Sequence, residues 1–408
     1  MSSSKYVLQF IYFVLSLGLI LASTSCQSEK RTSILILAFD RLPSDAVTCS
    51  DDRINENSGF SILCKESIRF THSYTTSLQP AAAMGSLLSG QYPHQHQLHR
   101  SFDRISNQSE LATEIAAQKN MRTAFFSGGP NILKKTGLSH YFETFDDSSA
   151  ITEKNYYKKF NLQTENFLDW LNEDSKPFFS VIYNSELELS RADDLNRFEK
   201  IDENLAVFIK QLKSASLWES TAIILVGLNG ANKYQRLNET KFQNLHSENT
   251  QVVTMVKLPR AKGDEGVYWK NDSIIQTADL GLIIKKLIKN EAVDFKPDPE
   301  RYIFIEAPNT WSEKVSWAQF AILKKQDLYI DSTKPEIYNT LTDRSELTNL
   351  FSEKETVFVQ ARSELSLIRK TKKLSTFPNT KIKKIITTDH LININIGLEN
   401  IWGLSPVN

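Results

Sequence analysis

A short apolar run near the start of the chain, Ser33–Phe39 (SILILAF), constrains the fold more than any other feature. A continuous run of this length, without alternating polar residues, is typical of a central strand that is buried on both faces of a parallel sheet. Similar runs follow at Phe178–Tyr183, Ala222–Leu228 and Val252–Val256. Asp40 closes the first run, and open α/β sheets place their ligands at the carboxyl ends of such strands. The sequence therefore predicts a ligand site near Asp40.

Apolar residues with helical spacing separate these strands. The clearest set lies between residues 198 and 212 and comprises Phe198, Ile201, Leu205, Phe208, Ile209 and Leu212. Alternating strands and helices predict an α/β sandwich in which helices cover both faces of a central, mostly parallel sheet. We assign residues 32–296 to this large domain.

Beyond Pro297 the predicted elements become shorter. Strand-like pieces occur at Tyr302–Glu306, Val315–Leu323 and Asp327–Ile330, and a charged helical stretch follows at Glu355–Arg369. This pattern predicts a smaller C-terminal subdomain at residues 297–370 with a short antiparallel sheet. Residues 371–408 are rich in lysine at first and irregular afterwards, which predicts a basic tail.

The first 25 residues have the composition of an export signal. Lys5 precedes an apolar run from Tyr6 to Ala22, and small residues follow directly before Cys26. This arrangement resembles a bacterial lipobox, after which Cys26 would carry the lipid and become the mature N-terminus. We therefore favour a lipoprotein of the bacterial cell envelope; an ordinary cleaved signal and an uncleaved anchor are the alternatives.

Export and charge restrict the remaining possibilities. An exported chain reaches an oxidising compartment, where Cys49 and Cys64 are allowed to pair, but we favour two free buried cysteines.

Lys plus Arg and Asp plus Glu number 48 each, so the chain has no net basic field that would attract nucleic acid. We therefore expect no nucleic-acid partner.

One segment, SLQPAAAMGSLLSGQYPHQHQ at Ser77–Gln97, keeps the frame of a catalytic motif. It resembles the sulfatases of the alkaline-phosphatase-like superfamily, whose pattern is close to CxPxRASLLTGLYPHRHG. Weaker similarities follow in family order between Ser33 and Phe351, including SILILAFDRLPSDAVTC and EIYNTLTDRSELTNLF. The resemblance implies the alkaline-phosphatase-like fold. In active members it also implies ester hydrolysis by an oxidised Cys or Ser nucleophile beside a divalent cation.

The reactive positions of the family are changed in this chain. Aligned on SLLSG, the nucleophile position is Pro80 and the arginine position is Met84. Proline cannot be a nucleophile, and methionine cannot pair with a sulfate as arginine does. The family histidine of a later motif aligns with Glu188, so a neutral or positive donor has become acidic.

The metal ligands implied by the resemblance are also incomplete. Asp40 matches the first metal aspartate, but Arg41 follows it, and the later metal aspartate is replaced by Leu228 beside a retained Asn229. One carboxylate and one amide are too few for a calcium or magnesium site. Asp40 and Asn229 are therefore remnant positions, and we expect no cofactor.

These changes favour a non-catalytic binding or structural protein that is attached to the membrane through its lipid. Its ligand is unidentified, and a glycan is one option, as it would be for a signal-anchored carbohydrate-binding module. The alternative is a sulfuric or phosphoric ester hydrolase with a displaced nucleophile such as Ser77, which would require calcium or magnesium.

Other polar residues receive separate expectations. Glu186, Glu188, Glu248 and Asp40 are a minority hypothesis for a new cation site. Arg41 is expected to offset the charge of Asp40 in place of an ion. The family motif accounts for His94 and His96, so these two and His99 are not expected to form a zinc site. Pro80 is expected at the first position of a helix that ends before Gly90.

Overall fold

The structure is a computed structural model that describes residues 32–49, 57–148, 157–189, 196–231, 245–261, 263–264, 268–307, 319–331 and 335–371. The predicted signal peptide, Cys26 and the tail from residue 372 lie outside the described residues. Within the described part of the chain, no helix combines the length and apolar character needed to cross a membrane.

Twelve strands, ten α-helices and one 3-10 helix (Lys134–Thr136) occur in the described ranges. The strands are β1 (Ser33–Phe39), β2 (Ile68–Tyr74), β3 (Arg122–Ser127), β4 (Thr144–Asp146), β5 (Phe178–Asn184), β6 (Thr221–Gly227), β7 (Thr254–Lys257), β8 (Trp269–Gln276), β9 (Ile303–Ala307), β10 (Gln319–Lys324), β11 (Asp327–Asp331) and β12 (Glu336–Asn339). The helices are α1 (Gly59–Glu66), α2 (Pro80–Ser89), α3 (Pro93–His96), α4 (Ala112–Gln118), α5 (Phe160–Leu171), α6 (Glu186–Leu189), α7 (Arg197–Ser214), α8 (Ser247–Thr250), α9 (Thr277–Ile288) and α10 (Glu355–Thr371).

The large sheet has eight strands in the order β4-β3-β5-β1-β6-β7-β2-β8. β1 pairs in parallel with both β5 and β6, whereas β7 is antiparallel to β6 and β2. The predicted mostly parallel central sheet is therefore confirmed. Because β1, β5 and β6 are parallel neighbours, the residues that follow them meet at one edge of the sheet, which we name the carboxyl edge.

Both faces of the large sheet are buried, as the run at β1 predicted. Ile34, Ile36 and Ala38 belong to one hydrophobic cluster, which also includes apolar residues of α2, α4 and α9. Leu35, Leu37 and Phe39 belong to a second cluster with residues of α1, α5 and α7. Successive strand residues point to opposite faces, so one apolar run supplies both cores.

The C-terminal strands form a separate antiparallel sheet in the order β12-β11-β10-β9, which confirms the predicted small sheet. One face packs with Tyr74 of the large sheet, and α10 covers the other face through Ala361 and Leu365. β9 also contacts the motif segment, because Glu306 pairs with Ser77 in an isolated parallel bridge.

The expectation of two free cysteines is wrong. A disulfide joins Cys49 to Cys64, with a Cα–Cα distance of 5.6 Å. It connects the loop after β1 to α1, where Cys64 is buried. Separation along the chain conceals this proximity, because only the packing of α1 against the sheet brings the two residues together.

Candidate functional site

The carboxyl edge brings together Asp40, Ser185 and Leu228, which follow β1, β5 and β6. The backbone N–H of Asp40 donates to the carbonyl of Asn184, and the N–H of Leu228 donates to the carbonyl of Phe39. These bonds continue the parallel ladders by one residue and fix the directions of the side chains beyond them. The sequence placed Asp40 correctly at the end of a buried strand.

The Asp40 carboxylate is fully buried and is held by protein hydroxyl groups. Its Oδ2 atom accepts hydrogen bonds from the Tyr183 hydroxyl at 2.5 Å and the Ser185 hydroxyl at 2.8 Å. The Asn131 amide lies at the limit of hydrogen bonding, 3.5 Å away. The other oxygen, Oδ1, is buried with no hydrogen-bond partner among the described residues.

This environment favours the neutral form of Asp40. Burial raises the pKa of Asp40 to about 7, and the nearby Glu188 carboxylate adds to the rise. Hydrogen bonds from Tyr183 and Ser185 act in the opposite direction but do not cancel the burial. Burial and the Asp40 charge likewise raise the pKa of Tyr183 well above its usual value, so Tyr183 stays a hydrogen-bond donor.

Arg41 does not form the expected ion pair with Asp40. Its Nε atom lies 3.1 Å from Oε2 of Glu188, whose side chain is only 6% exposed. Burial raises the pKa of Glu188, and the positive charge of Arg41 opposes this effect. Arg41 therefore compensates the residue at the family histidine position. Its φ of 51° lies in the left-handed region, at the turn that follows β1.

The side-chain amide of Asn229 binds two backbone groups. Its Oδ1 atom accepts from the N–H of Arg41 at 2.7 Å, and its Nδ2 atom donates to the carbonyl of Leu78 at 3.3 Å. Asn229 thus ties the turn after β1 to the motif segment. An amide whose oxygen already accepts a short hydrogen bond is poorly suited to ligate a cation.

Apolar side chains occupy the positions that the family uses for chemistry. Pro80, Met84 and Leu228 are all buried, and Met84 and Leu228 belong to the same hydrophobic cluster. Pro80 begins α2 and Gly90 ends it in the left-handed conformation, as predicted. The segment therefore retains its structural role as a packed helix.

The residues at this edge do not fit a divalent cation. Calcium takes six to eight oxygen ligands and magnesium about six, from carboxylates, carbonyls and water, whereas Asp40 offers one carboxylate oxygen without a hydrogen-bond partner among the described residues. Glu186 caps α5 by accepting from the N–H of Phe160 at 3.0 Å. Among the described residues, no group of three or more His, Cys, Asp or Glu is arranged to hold a metal. The cation site that combined Asp40, Glu186, Glu188 and Glu248 is therefore not supported.

Ser77, the fallback nucleophile, is fully buried beside the small sheet. Its hydroxyl oxygen accepts from the N–H of Gln79 at 3.2 Å, and its carbonyl accepts from the Thr75 hydroxyl at 2.8 Å. The neighbouring residues pair with Glu306, which donates its N–H to Thr76 and accepts from the N–H of Leu78. These contacts shape a turn before α2.

The three histidines have separate structural contacts. Nδ1 of His96 accepts from the N–H of Leu98, so its Nε2 carries the proton and donates to Ser86 at 3.1 Å. His99 pairs with Glu306 at 2.8 Å, and the ring of His94 stacks on Tyr92. Each of the three histidines thus contacts a different partner.

Sequence reasoning missed Tyr183, Ser185 and Asn131, the three residues that contact Asp40. Tyr183 and Ser185 were recognisable as polar residues at the end of a buried strand that neighbours β1. Asn131 gave no such signal, because it lies in the loop after β3 and reaches Asp40 only through the order of the strands.

Comparisons with known proteins agree with the fold described above. The Sulfatase family model matches residues 32–186. Among solved structures, a phosphonate monoester hydrolase of Agrobacterium radiobacter superposes with a TM-score of 0.65 at 12% identity, covering 84% of this chain and 96% of that chain. A 2-O GAG sulfatase gives a TM-score of 0.64 at 12% identity, covering 84% and 92%. No curated protein sequence matches the chain.

A third structure is a protein in complex with its substrate, D-glucosamine-2-N,6-O-disulfate. Its TM-score is 0.63 at 12% identity, with coverage of 84% of this chain and 97% of that chain. These likenesses show that the chain shares the fold of these structures. The resemblance to the sulfatase family is confirmed by the family model over residues 32–186 and by the fold over most of the chain.

Proposed function

We propose that this chain is a sulfatase-fold protein that does not hydrolyse esters and that binds a ligand in the bacterial cell envelope, anchored through a lipidated Cys26. The observation that carries the first part is the condition of Asp40. Its carboxylate is buried and accepts from the hydroxyls of Tyr183 and Ser185, and in the described ranges of the chain no group of three or more His, Cys, Asp or Glu is arranged around it to hold a cation.

The positions around Asp40 support the same conclusion. A hydrolase of this family needs a nucleophile, a cation and donors for the sulfate, whereas the corresponding residues are Pro80, Leu228 and Met84. Loss of a nucleophile alone lowers turnover about a millionfold in a well-studied hydrolase, and such losses do not add because the parts act together. We therefore expect no more than residual catalysis.

The alternative, a displaced Ser77 nucleophile, gains little support from the geometry. An activated hydroxyl needs a base within hydrogen-bond reach, and the Ser77 oxygen instead accepts a backbone N–H. A substrate would also have to reach a side chain that is fully buried beneath β9.

Turnover assays on the full chain test this proposal. Aryl sulfates, phosphate monoesters and phosphodiesters would be incubated with the protein in calcium, magnesium, manganese or zinc, and metal content would be measured after purification. We expect no turnover above background and no stoichiometric metal. Turnover that disappears in Ser77→Ala and survives in the matched Ser73→Ala variant would establish the alternative instead.

The structural neighbours motivate a proposal for the chemical class of the ligand. One neighbour is a GAG sulfatase, and another was solved with a sulfated glucosamine substrate. We infer that a saccharide is also the ligand of this chain. Anchoring is tested separately: the wild-type chain should partition with membranes, whereas Cys26→Ser should not.

A further inference from the structure

A group of exposed aromatic and basic side chains lies on two loops next to the Asp40 site. We name it the basic aromatic patch, and it consists of Phe102, Arg104, Lys134, Lys135, His140 and Tyr141. Phe102 is 82% exposed, the largest exposed fraction among the large hydrophobic residues described, and Tyr141 is 53% exposed. Large apolar rings at such exposure, combined with neighbouring charges, are characteristic of interaction surfaces.

Contacts between the two loops make the patch one continuous surface. The ammonium of Lys135 lies 4.7 Å from the centre of the Phe102 ring. The guanidinium of Arg104 donates to Nε2 of His140 at 3.4 Å, and the ring of His140 meets Tyr141 edge-on. The N–H of Ile105 donates to the carbonyl of Thr136 at 2.9 Å, which fixes one loop against the other.

The patch is positively charged. Arg104, Lys134 and Lys135 contribute three cations, and the Lys134 side chain is 61% exposed. Two carboxylates lie nearby. Asp103 is engaged by Arg100 at 3.2 Å, whereas Asp147 lies 3.8 Å from the Lys134 ammonium and neutralises it only in part. Glu143, two residues after Tyr141, is also exposed, but among the described residues neither Arg104 nor Lys135 forms an ion pair with a carboxylate, so these two cations can pair with an anion.

The loop that carries Lys134 and Lys135 also reaches the Asp40 site. Asn131, three residues earlier, lies 3.5 Å from the Asp40 carboxylate. The segment that carries part of the patch therefore also supplies a side chain to the Asp40 site. Because Asp40, Ser185 and Tyr183 are buried, a ligand of this chain needs another surface, and the patch offers exposed rings and cations together.

We propose that the basic aromatic patch binds an acidic polysaccharide, with a sugar ring stacked on Phe102 and carboxylate or sulfate groups paired with Lys134, Lys135 and Arg104. This inference rests on the proposed function, since a hydrolase would hold its substrate at the catalytic position. Aromatic faces bind the apolar C–H face of a sugar, and Lys and Arg supply donors for acidic groups.

Binding of the full chain to three soluble polysaccharides tests the patch. Heparin carries sulfate and carboxylate, polygalacturonate carries carboxylate alone, and dextran is neutral. We expect binding to one or both acidic chains and none to dextran. Lys134→Gln with Lys135→Gln should weaken binding about tenfold and reduce its salt dependence. Phe102→Ala should weaken binding about fivefold and leave the salt dependence unchanged.

Matched controls lie elsewhere on the surface. Leu347 is 71% exposed and the Lys270 side chain is 64% exposed, so Leu347→Ala and Lys270→Gln should bind as the wild type does. Equal binding by patch and control variants would overturn the proposal, as would the absence of binding to both acidic chains. If the patch variants weakened binding only to phosphatidylglycerol vesicles, the ligand of the patch would be a lipid surface and not a polysaccharide. Ester turnover would instead refute the proposed function, so the two failures are distinguishable.

Discussion

Two buried charges in the large sheet differ sharply in how the protein satisfies them. Lys257, at the end of β7, donates to the carbonyls of Trp218, Thr221 and Leu258, and its ammonium lies 4.9 Å from the Trp218 ring. Asp40, at the carboxyl edge, accepts from two hydroxyls and one distant amide through a single oxygen. Its second oxygen has no hydrogen-bond partner in the described part of the chain.

The difference lies in how completely the neighbouring groups satisfy each buried side chain. Lys257 has a fixed backbone acceptor for each of its three protons, so its cation holds the start of β6 to the end of β7. Burial nevertheless lowers the pKa of Lys257 to about 8. Asp40 has fewer hydrogen-bond donors than its two carboxylate oxygens can accept, because Oδ1 has no partner among the described residues. We therefore expect removal of the two charges to change stability in opposite directions.

The largest effect is expected for Lys257→Ala. The variant leaves three buried carbonyls without their donor and opens a cavity beside Trp218, so the free energy of unfolding should fall by about 3 kcal/mol. Urea denaturation at pH 7 measures the change. Lys270→Ala, which removes a 64% exposed side chain, is the control and should stay within about 0.5 kcal/mol of the wild type. An equally small effect at Lys257 would end the contrast between the two charges.

The second effect has the opposite sign. Asp40→Asn keeps the shape of the side chain but removes the charge, and we expect it to raise the free energy of unfolding by on the order of 2 kcal/mol at pH 8. Because the folded state raises the pKa of Asp40 from 3.8 to about 7, the stabilising contribution of its neutral form is complete below pH 4. That contribution is lost as the pH rises through 7.

The pH profile makes this prediction specific. The difference in stability between Asp40→Asn and the wild type should be near zero at pH 4 and should grow up to about pH 8, as measured by thermal unfolding. A difference that does not vary with pH would mean that Asp40 is ionised throughout and that its surroundings accommodate the charge. If Asp40→Asn instead lowered the stability at pH 8 and abolished a stabilisation of the wild type by added calcium, Asp40 would belong to a cation site.

The two charges also show what the sequence could and could not predict. The strand SILILAF and the following Asp40 specified a buried strand and a polar residue at its end, because a local pattern encodes both. The residues Pro80, Met84 and Leu228 at the aligned family positions were also readable from the sequence, since each is one residue in a motif frame. The partners of Asp40 and Arg41 could not be read from the sequence. Asn131 and Tyr183 contact Asp40, and Glu188 contacts Arg41, only because of the order of the strands in the sheet.

The hydroxyl partner of Asp40 provides a smaller effect. Tyr183→Phe removes the hydrogen bond that most lowers the pKa of Asp40, so the free energy of unfolding should fall by about 1.5 kcal/mol at pH 8. The loss should shrink near pH 4, where Asp40 is neutral. Thermal unfolding at both pH values measures it, and Tyr302→Phe is the matched control. An equal loss at the two pH values would assign the effect to packing rather than to the carboxylate.

The smallest effect is expected at Arg41, and it distinguishes between two partners. Arg41→Met leaves Glu188 buried without its cation, but the Arg41 side chain is 37% exposed and solvent screens the pair, so we expect a loss of only about 1 kcal/mol. In a Glu188→Gln background the loss should disappear, because the carboxylate no longer needs a partner. In an Asp40→Asn background it should persist. The reverse pattern, measured by urea denaturation of the two double variants, would restore Asp40 as the partner of Arg41 and leave Glu188 without a role at this edge.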